Sequence, residues 1–112
     1  MGSMPKTVRP ADPAWSDDLD AAAIAYGTPV RMQIMRHLRV SGPLMRYQLE
    51  QATGIKQPLL VQSLNKLEAT GVVLVNLPRE ERSTRALTYT LDQSRADHLL
   101  SLMAGYVRAQ EP

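Results

Sequence analysis

The chain has no cysteine, no phenylalanine and one tryptophan. No apolar run approaches the roughly 20 residues that cross a bilayer. Without cysteine there is no disulfide, no thiolate metal site and no cysteine nucleophile. A small secreted protein stapled by disulfides is thereby disfavoured. Without phenylalanine, the core of this 112-residue, 44% hydrophobic chain must be built from Leu, Val, Ile, Met and Ala. The first residues are not followed by an apolar stretch and do not read as a signal peptide. Met1-Gly2-Ser3-Met4 reads as an expression scar before a natural start at Met4.

Sites for catalysis and metal binding are lacking too. There is no paired-carboxylate site at a strand end, no phosphate-binding glycine loop and no Ser/His/Asp constellation. Glu80 and Glu81 fall in a charged loop, where solvated charge is the natural reading. His37 lies beside an apolar stripe, and Asp97 and His98 are adjacent rather than spaced to chelate. The expectation is no catalytic residue, no metal ligand, no cofactor and no enzyme activity. The length suits one small domain, and the chain holds no internal repeat.

The net charge is only +2, but it is uneven. Residues 1–27 carry two basic and four acidic side chains, whereas residues 28–92 carry nine basic and five acidic ones. The basic excess suits an anionic partner.

What is present centres on Tyr47 to Val73. Leu49 and Ala52 give a short helix an inner side, Gly54 marks a reversal, and Ile55 follows as an apolar plug. Pro58 opens a second helix, in which Leu60, Leu64 and Leu67 recur at i, i+4 and i+7. Two short helices joined by a glycine turn make a helix-turn-helix, which presents its second helix to the DNA major groove.

The flanks extend the pattern. Residues 1–15, with Pro5, Pro10 and Pro13, read as a flexible tail, and residues 16–110 as the domain. Ser16 caps a helix to about residue 26, with Asp17, Asp18 and Asp20 in its first turn. Thr28-Pro29 starts the next, striped by Val30, Ile34 and Leu38, and Ser41-Gly42-Pro43 stops it. Leu44-Met45 fits a very short strand. Val72 to Leu77 and Ala86 to Leu91 read as strands joined by a charged loop, a wing at about 76–86 bearing Arg79, Arg82 and Arg85. Asp92 or Ser94 caps a last helix at about 93–109, striped by Leu99, Leu102, Met103 and Tyr106. The predicted fold is mainly α: a winged helix-turn-helix of about five helices and a two- to three-stranded antiparallel wing sheet.

Three segments carry a family resemblance. Tyr26 to Leu38 resembles the opening helix pair of ArsR-type winged-helix repressors. Ala52-Thr53-Gly54-Ile55-Lys56-Gln57-Pro58 resembles their turn and recognition-helix start. Leu67-Glu68-Ala69-Thr70-Gly71-Val72-Val73 resembles the exit toward the wing. The similarity covers roughly residues 19–92, and MarR-like proteins share much of it. It implies a dimeric regulator, usually a repressor, acting on double-stranded DNA in the cytoplasm at the nucleoid. The recognition helix at about 57–69 would enter the major groove, and the wing would touch the backbone or minor groove. The first and last helices would build the homodimer, making Leu19, Ala23, Leu99, Leu102, Met103 and Tyr106 the interface candidates. A single small domain cannot fully cover the last-helix stripe, which supports the same expectation.

With Leu60 and Leu64 inside, the outward set of the recognition helix is Lys56, Gln57, Leu59, Gln62, Ser63 and Lys66. Gln can pair bidentately with adenine, and an apolar side chain can meet a thymine methyl. Lys56 and Lys66 would hold phosphates, as would the wing arginines. This face leans toward A·T pairs and has no Arg for guanine. Metal sensing, common in the resembled family, finds no ligands here, and no effector can be read from the sequence. The alternative reading is a winged-helix protein-interaction or recombination accessory module of a mobile element, with Leu59 and Val61 as its contact.

Overall fold

The computed structural model describes residues 9–82 and 86–110. The order is α1 (Asp17–Ala25), α2 (Pro29–Ser41), β1 (Leu44–Met45), α3 (Arg46–Thr53), α4 (Leu59–Ala69), β2 (Val73–Val75), a 3-10 turn (Arg79–Glu81), β3 (Thr88–Leu91) and α5 (Gln93–Val107).

Local chemistry sets the helix starts. Ser16 Oγ accepts from Leu19 N at 3.1 Å, Thr28 Oγ1 from Arg31 N at 3.2 Å and Asp92 Oδ1 from Arg95 N at 3.0 Å. Each bond satisfies a donor that the first helical turn leaves without a partner. Between α3 and α4 the chain reverses at Gly54, whose φ of 74° falls in the left-handed region open to glycine. Thr53 Oγ1 locks that corner, donating to Leu49 O at 2.7 Å and accepting from Ile55 N at 3.1 Å. Ile55 then drops into the core. Gly71, with φ of 86°, makes the corresponding turn from α4 to β2.

Helices α3 and α4 both pack on α2 around Ile34, Leu38, Leu49, Leu60, Leu64 and Leu67, all essentially inaccessible to water. The three-stranded antiparallel sheet, in the order β1-β3-β2, closes this core with Val73, Tyr89 and Leu91. Its register pairs Leu44 with Tyr89 and Val73 with Leu91. The strands are shorter than the alternating pattern predicts. Asn76 ends the β2 ladder, its Oδ1 accepting from Thr88 N at 2.9 Å. Pro78 has no N–H with which to continue it.

Helix α1 lies against α5. Tyr26 Oη donates to Ala96 O at 2.7 Å, and Arg95 reaches Asp18 at 3.0 Å. The hydrogen bond from Arg95 lowers the pKa of Asp18. The packed part of the chain begins before the predicted boundary at residue 16. Trp15 stacks edge-on against Tyr106 with ring centroids 5.2 Å apart, and Tyr106 Oη donates to Asp12 Oδ2 at 2.6 Å. The single tryptophan is too large an apolar surface to leave in water, and Asp20 takes its Nε1–H at 3.1 Å.

Candidate nucleic-acid interface

The buried seam of α4 decides what the helix shows to solvent. Leu60, Leu64 and Leu67 face the core, and Gln62, Asn65, Lys66 and Ala69 lie on the exposed side. Lys56, Gln57 and Leu59, at the entrance to the helix, are exposed as well. Ser63, expected outward, is instead buried, with 3% of its surface exposed. It stands three residues after Leu60 and four before Leu67, so the helical repeat puts it on the inner side. Val61 is half-buried. Asn65 was absent from the predicted set although the same repeat places it outward, three residues after Gln62. The outward face is therefore amide and ammonium groups with one leucine, Leu59, at 47% exposure.

The only acidic residue on α4 is Glu68, and it is engaged within the protein. Arg82 meets its carboxylate with two bonds, Nη1 to Oε1 at 3.0 Å and Nη2 to Oε2 at 2.7 Å. The hydrogen bonds and charge of Arg82 hold the Glu68 carboxyl below its usual pKa. Arg82 also donates from Nε to Leu77 O at 2.8 Å. Its side chain is only 16% exposed, so Arg82 points into the protein rather than out from the wing as expected. Its neighbour Arg79 stays 62% exposed and only brushes Glu68, at 3.5 Å. Arg85 lies outside the described residues. Arg46, at the start of α3, is an exposed cation that the sequence reading passed over. It lies close enough to Tyr89 to act on its hydroxyl, as do Arg79 and Arg82. Burial, opposed by these cations, raises the pKa of that hydroxyl. A basic residue opening the first helix of a helix-turn-helix was the available signal.

The expected dimer residues divide in two. Leu19 and Leu99 are buried within the monomer, because α1 packs along α5 in the same chain and takes them for its own core. Ala23, Leu102, Met103 and Tyr106 are half-buried, while Ile24, Leu100 and Val107 stand exposed. A groove of ≈ 470 Å³ runs between residues 14–19 and the end of α5, beside Leu102 and Tyr106. Among the described residues no group of His, Asp or Glu is arranged to hold a metal ion.

Five helices around a three-stranded sheet, with a helix-turn-helix at α3–α4 and a wing between β2 and β3, define the architecture. The transcriptional repressor BigR from Xylella fastidiosa superposes with a TM-score of 0.54 and 28% identity, over 79% of this chain and 82% of that one. An ArsR family transcriptional regulator, RHA00566, superposes with a TM-score of 0.63 and 16% identity, over 83% of this chain and 90% of its own. The fold is the ArsR-type winged helix-turn-helix. No protein-family model and no curated protein matches the sequence. In this ArsR-type frame α4 is the second helix of the helix-turn-helix, and residues 76–82 lie between β2 and β3 on the wing side. No helix among the described residues is long and apolar enough to cross a membrane.

Proposed function

We propose that the protein is a sequence-specific double-stranded DNA-binding transcriptional regulator that acts as a homodimeric repressor. The observation that carries this reading is the outer face of α4. Gln62, Asn65 and Lys66 are exposed there, with Lys56 and Gln57 exposed at the entrance to the helix, while Glu68, the one carboxylate of the helix, is neutralised by Arg82. Glutamine and asparagine can make bidentate pairs with adenine, and the lysines suit phosphate. Arg79 on the wing and Arg46 on α3 add exposed cations on neighbouring elements. The likeness to BigR, itself a transcriptional repressor, supports the same reading.

The dimer is closed by the outer faces of α1 and α5. Leu100, Met103 and Val107 on α5 and Ile24 on α1 form the surface that a second copy would cover. Isologous pairing buries such a patch on both subunits and closes the assembly. Two copies related by a two-fold axis would present two recognition helices, which matches an inverted-repeat operator.

The test is selection of bound duplexes from a random pool, followed by binding to the winner across a salt series. An enriched inverted repeat, with affinity falling as salt rises, is the expected result. A second reading, a protein-interaction or recombination accessory module, rests on exposed Leu59 at the entrance to α4. Absence of any enriched duplex would favour it.

A further inference from the structure

Arg82 and Glu68 join two elements that a DNA-binding winged helix must hold in fixed relation. Glu68 stands in the last turn of α4, and Arg82 follows the 3-10 turn at the base of the wing. The guanidinium grips the carboxylate with two parallel bonds and uses its third edge on Leu77 O, the backbone just beyond β2. This fork-to-fork geometry fixes orientation as well as distance. Both side chains are mostly covered, at 16% and 22% exposure. Among the described residues, every side-chain hydrogen bond from residues 77–82 to α4 ends on Glu68.

We propose that Glu68 and Arg82 are positioning residues. Their bidentate pair sets the wing against the recognition helix, and DNA affinity depends on the pair although neither side chain contacts DNA. This rests on the DNA-binding reading above. The competing role for Arg82 is a direct phosphate contact, and the two roles have opposite consequences at Glu68. Removing a carboxylate near DNA relieves repulsion and tightens binding if charge alone matters. If the pair positions the wing, the same change weakens binding.

The experiment uses the full chain and the duplex it selects, with Glu68→Gln, Arg82→Gln, Arg82→Lys and the double variant Glu68→Gln/Arg82→Gln. Each single variant should bind about tenfold more weakly, the scale on which residues outside a ligand contact modulate affinity. Arg82→Lys should fail to rescue, because an ammonium keeps the charge but cannot form the fork. The double variant should be no worse than either single one, since both remove the same pair. The salt slope of Arg82→Lys should match that of the wild type, because no phosphate contact is lost. Tighter binding by Glu68→Gln overturns the proposal. So does an Arg82→Lys variant that binds like the wild type.

Hydrogen exchange on the free protein supplies an arm without DNA. Glu68→Gln should speed exchange at the wing-base amides of Glu81 and Arg82 and leave α1 and α5 unchanged. Unchanged exchange there overturns the proposal by itself. A wild-type chain that selects no duplex overturns the DNA-binding reading instead, and exchange then decides whether the pair holds the wing.

Discussion

Helices α4 and α5 both bury apolar residues, three leucines on α4 and Ala96 with Leu99 on α5, yet their outer faces differ. On α4 the residues opposite Leu60, Leu64 and Leu67 are Gln62, Asn65 and Lys66. On α5 the residues beside buried Ala96 and Leu99 include Leu100, Met103 and Val107. An exposed amide-and-ammonium face is stable in water and gains by meeting hydrogen-bonding, anionic partners. Exposed aliphatic side chains such as Leu100 and Val107 gain by leaving water, which favours a second copy. One small domain thus offers two surfaces suited to two kinds of partner, and its seams hold them in fixed relation.

The largest effect should come from breaking the seam that supports the first surface. Leu64→Ala removes a side chain that is 1% exposed at the centre of the three-helix core. The loss should be about 2–5 kcal/mol, as for other buried leucines cut to alanine. Urea unfolding at neutral pH would measure it. A cost well under 1 kcal/mol would mean that α4 is not anchored through this residue.

Next comes the second surface. Val107→Glu or Leu100→Glu places a charge where a partner's apolar face would lie, and a charge unpaired in an interface is strongly disfavoured. The wild type should sediment at micromolar concentration with twice the chain mass, and the variant as a monomer that unfolds near the same urea concentration. Operator affinity should fall by at least about tenfold, because half-sites would no longer be bound together. A wild type that sediments as a monomer removes α5 as an interface and breaks the contrast between the two helices.

The base-reading face should show a smaller and more selective effect. Gln57→Ala should relax preference at one operator position by roughly 1–3 kcal/mol, the value of a good bidentate pair. Gln62→Ala should do the same at a neighbouring position or weaken binding without changing preference. Non-specific binding and thermal stability should hardly move, since both side chains are exposed. If neither variant alters base preference, the outward face of α4 is not the reader, and Leu59 becomes the better guide to its partner. Arg79→Ala should instead weaken binding to all duplexes alike and lower the salt slope by about one unit.

The sequence made the core legible because one periodicity governs it. Leu60, Leu64 and Leu67 lie where the heptad-like spacing puts them, and the hairpin alternation places Tyr89 and Leu91 on the buried side. The surface was less legible. Setting only Leu60 and Leu64 inside puts Ser63 in the outward set, but its place between Leu60 and Leu67 turns it inward. Leu19 and Leu99 looked like interface residues because the amount of core one domain can provide is not written in any local pattern. Arg82 looked like a wing contact because its partner Glu68 is 14 residues away in sequence. A pair at that separation follows only from knowing where the wing folds back. Trp15 was assigned to a tail for the same reason, since its stacking partner, Tyr106, lies near the other end of the chain.

The smallest effect is on pH dependence, and it isolates the pair that links α4 to the segment after β2. Hydrogen bonds from Arg82 hold the folded-state pKa of Glu68 below its usual value of about 4.5. A carboxyl group whose pKa is depressed on folding adds stability that is fully present above the unfolded-state value. That stability is lost as pH falls through the folded-state value. Asp12 and Asp18 are depressed in the same direction by Tyr106 and Arg95, so the wild type alone would report a mixture. Subtracting Glu68→Gln leaves the contribution of Glu68. The difference in urea midpoint between the two proteins should be constant near neutral pH and should shrink below about pH 4.5. It should be modest throughout, because the pair keeps some contact with water and partly exposed ion pairs contribute little. A difference that persists unchanged into acid would mean that neutral contacts at the site, such as the Arg82 bond to Leu77 O, hold the wing base without the ionised carboxylate. The same two proteins at 1 M salt give a control, since a partly covered pair should be screened less than an exposed one.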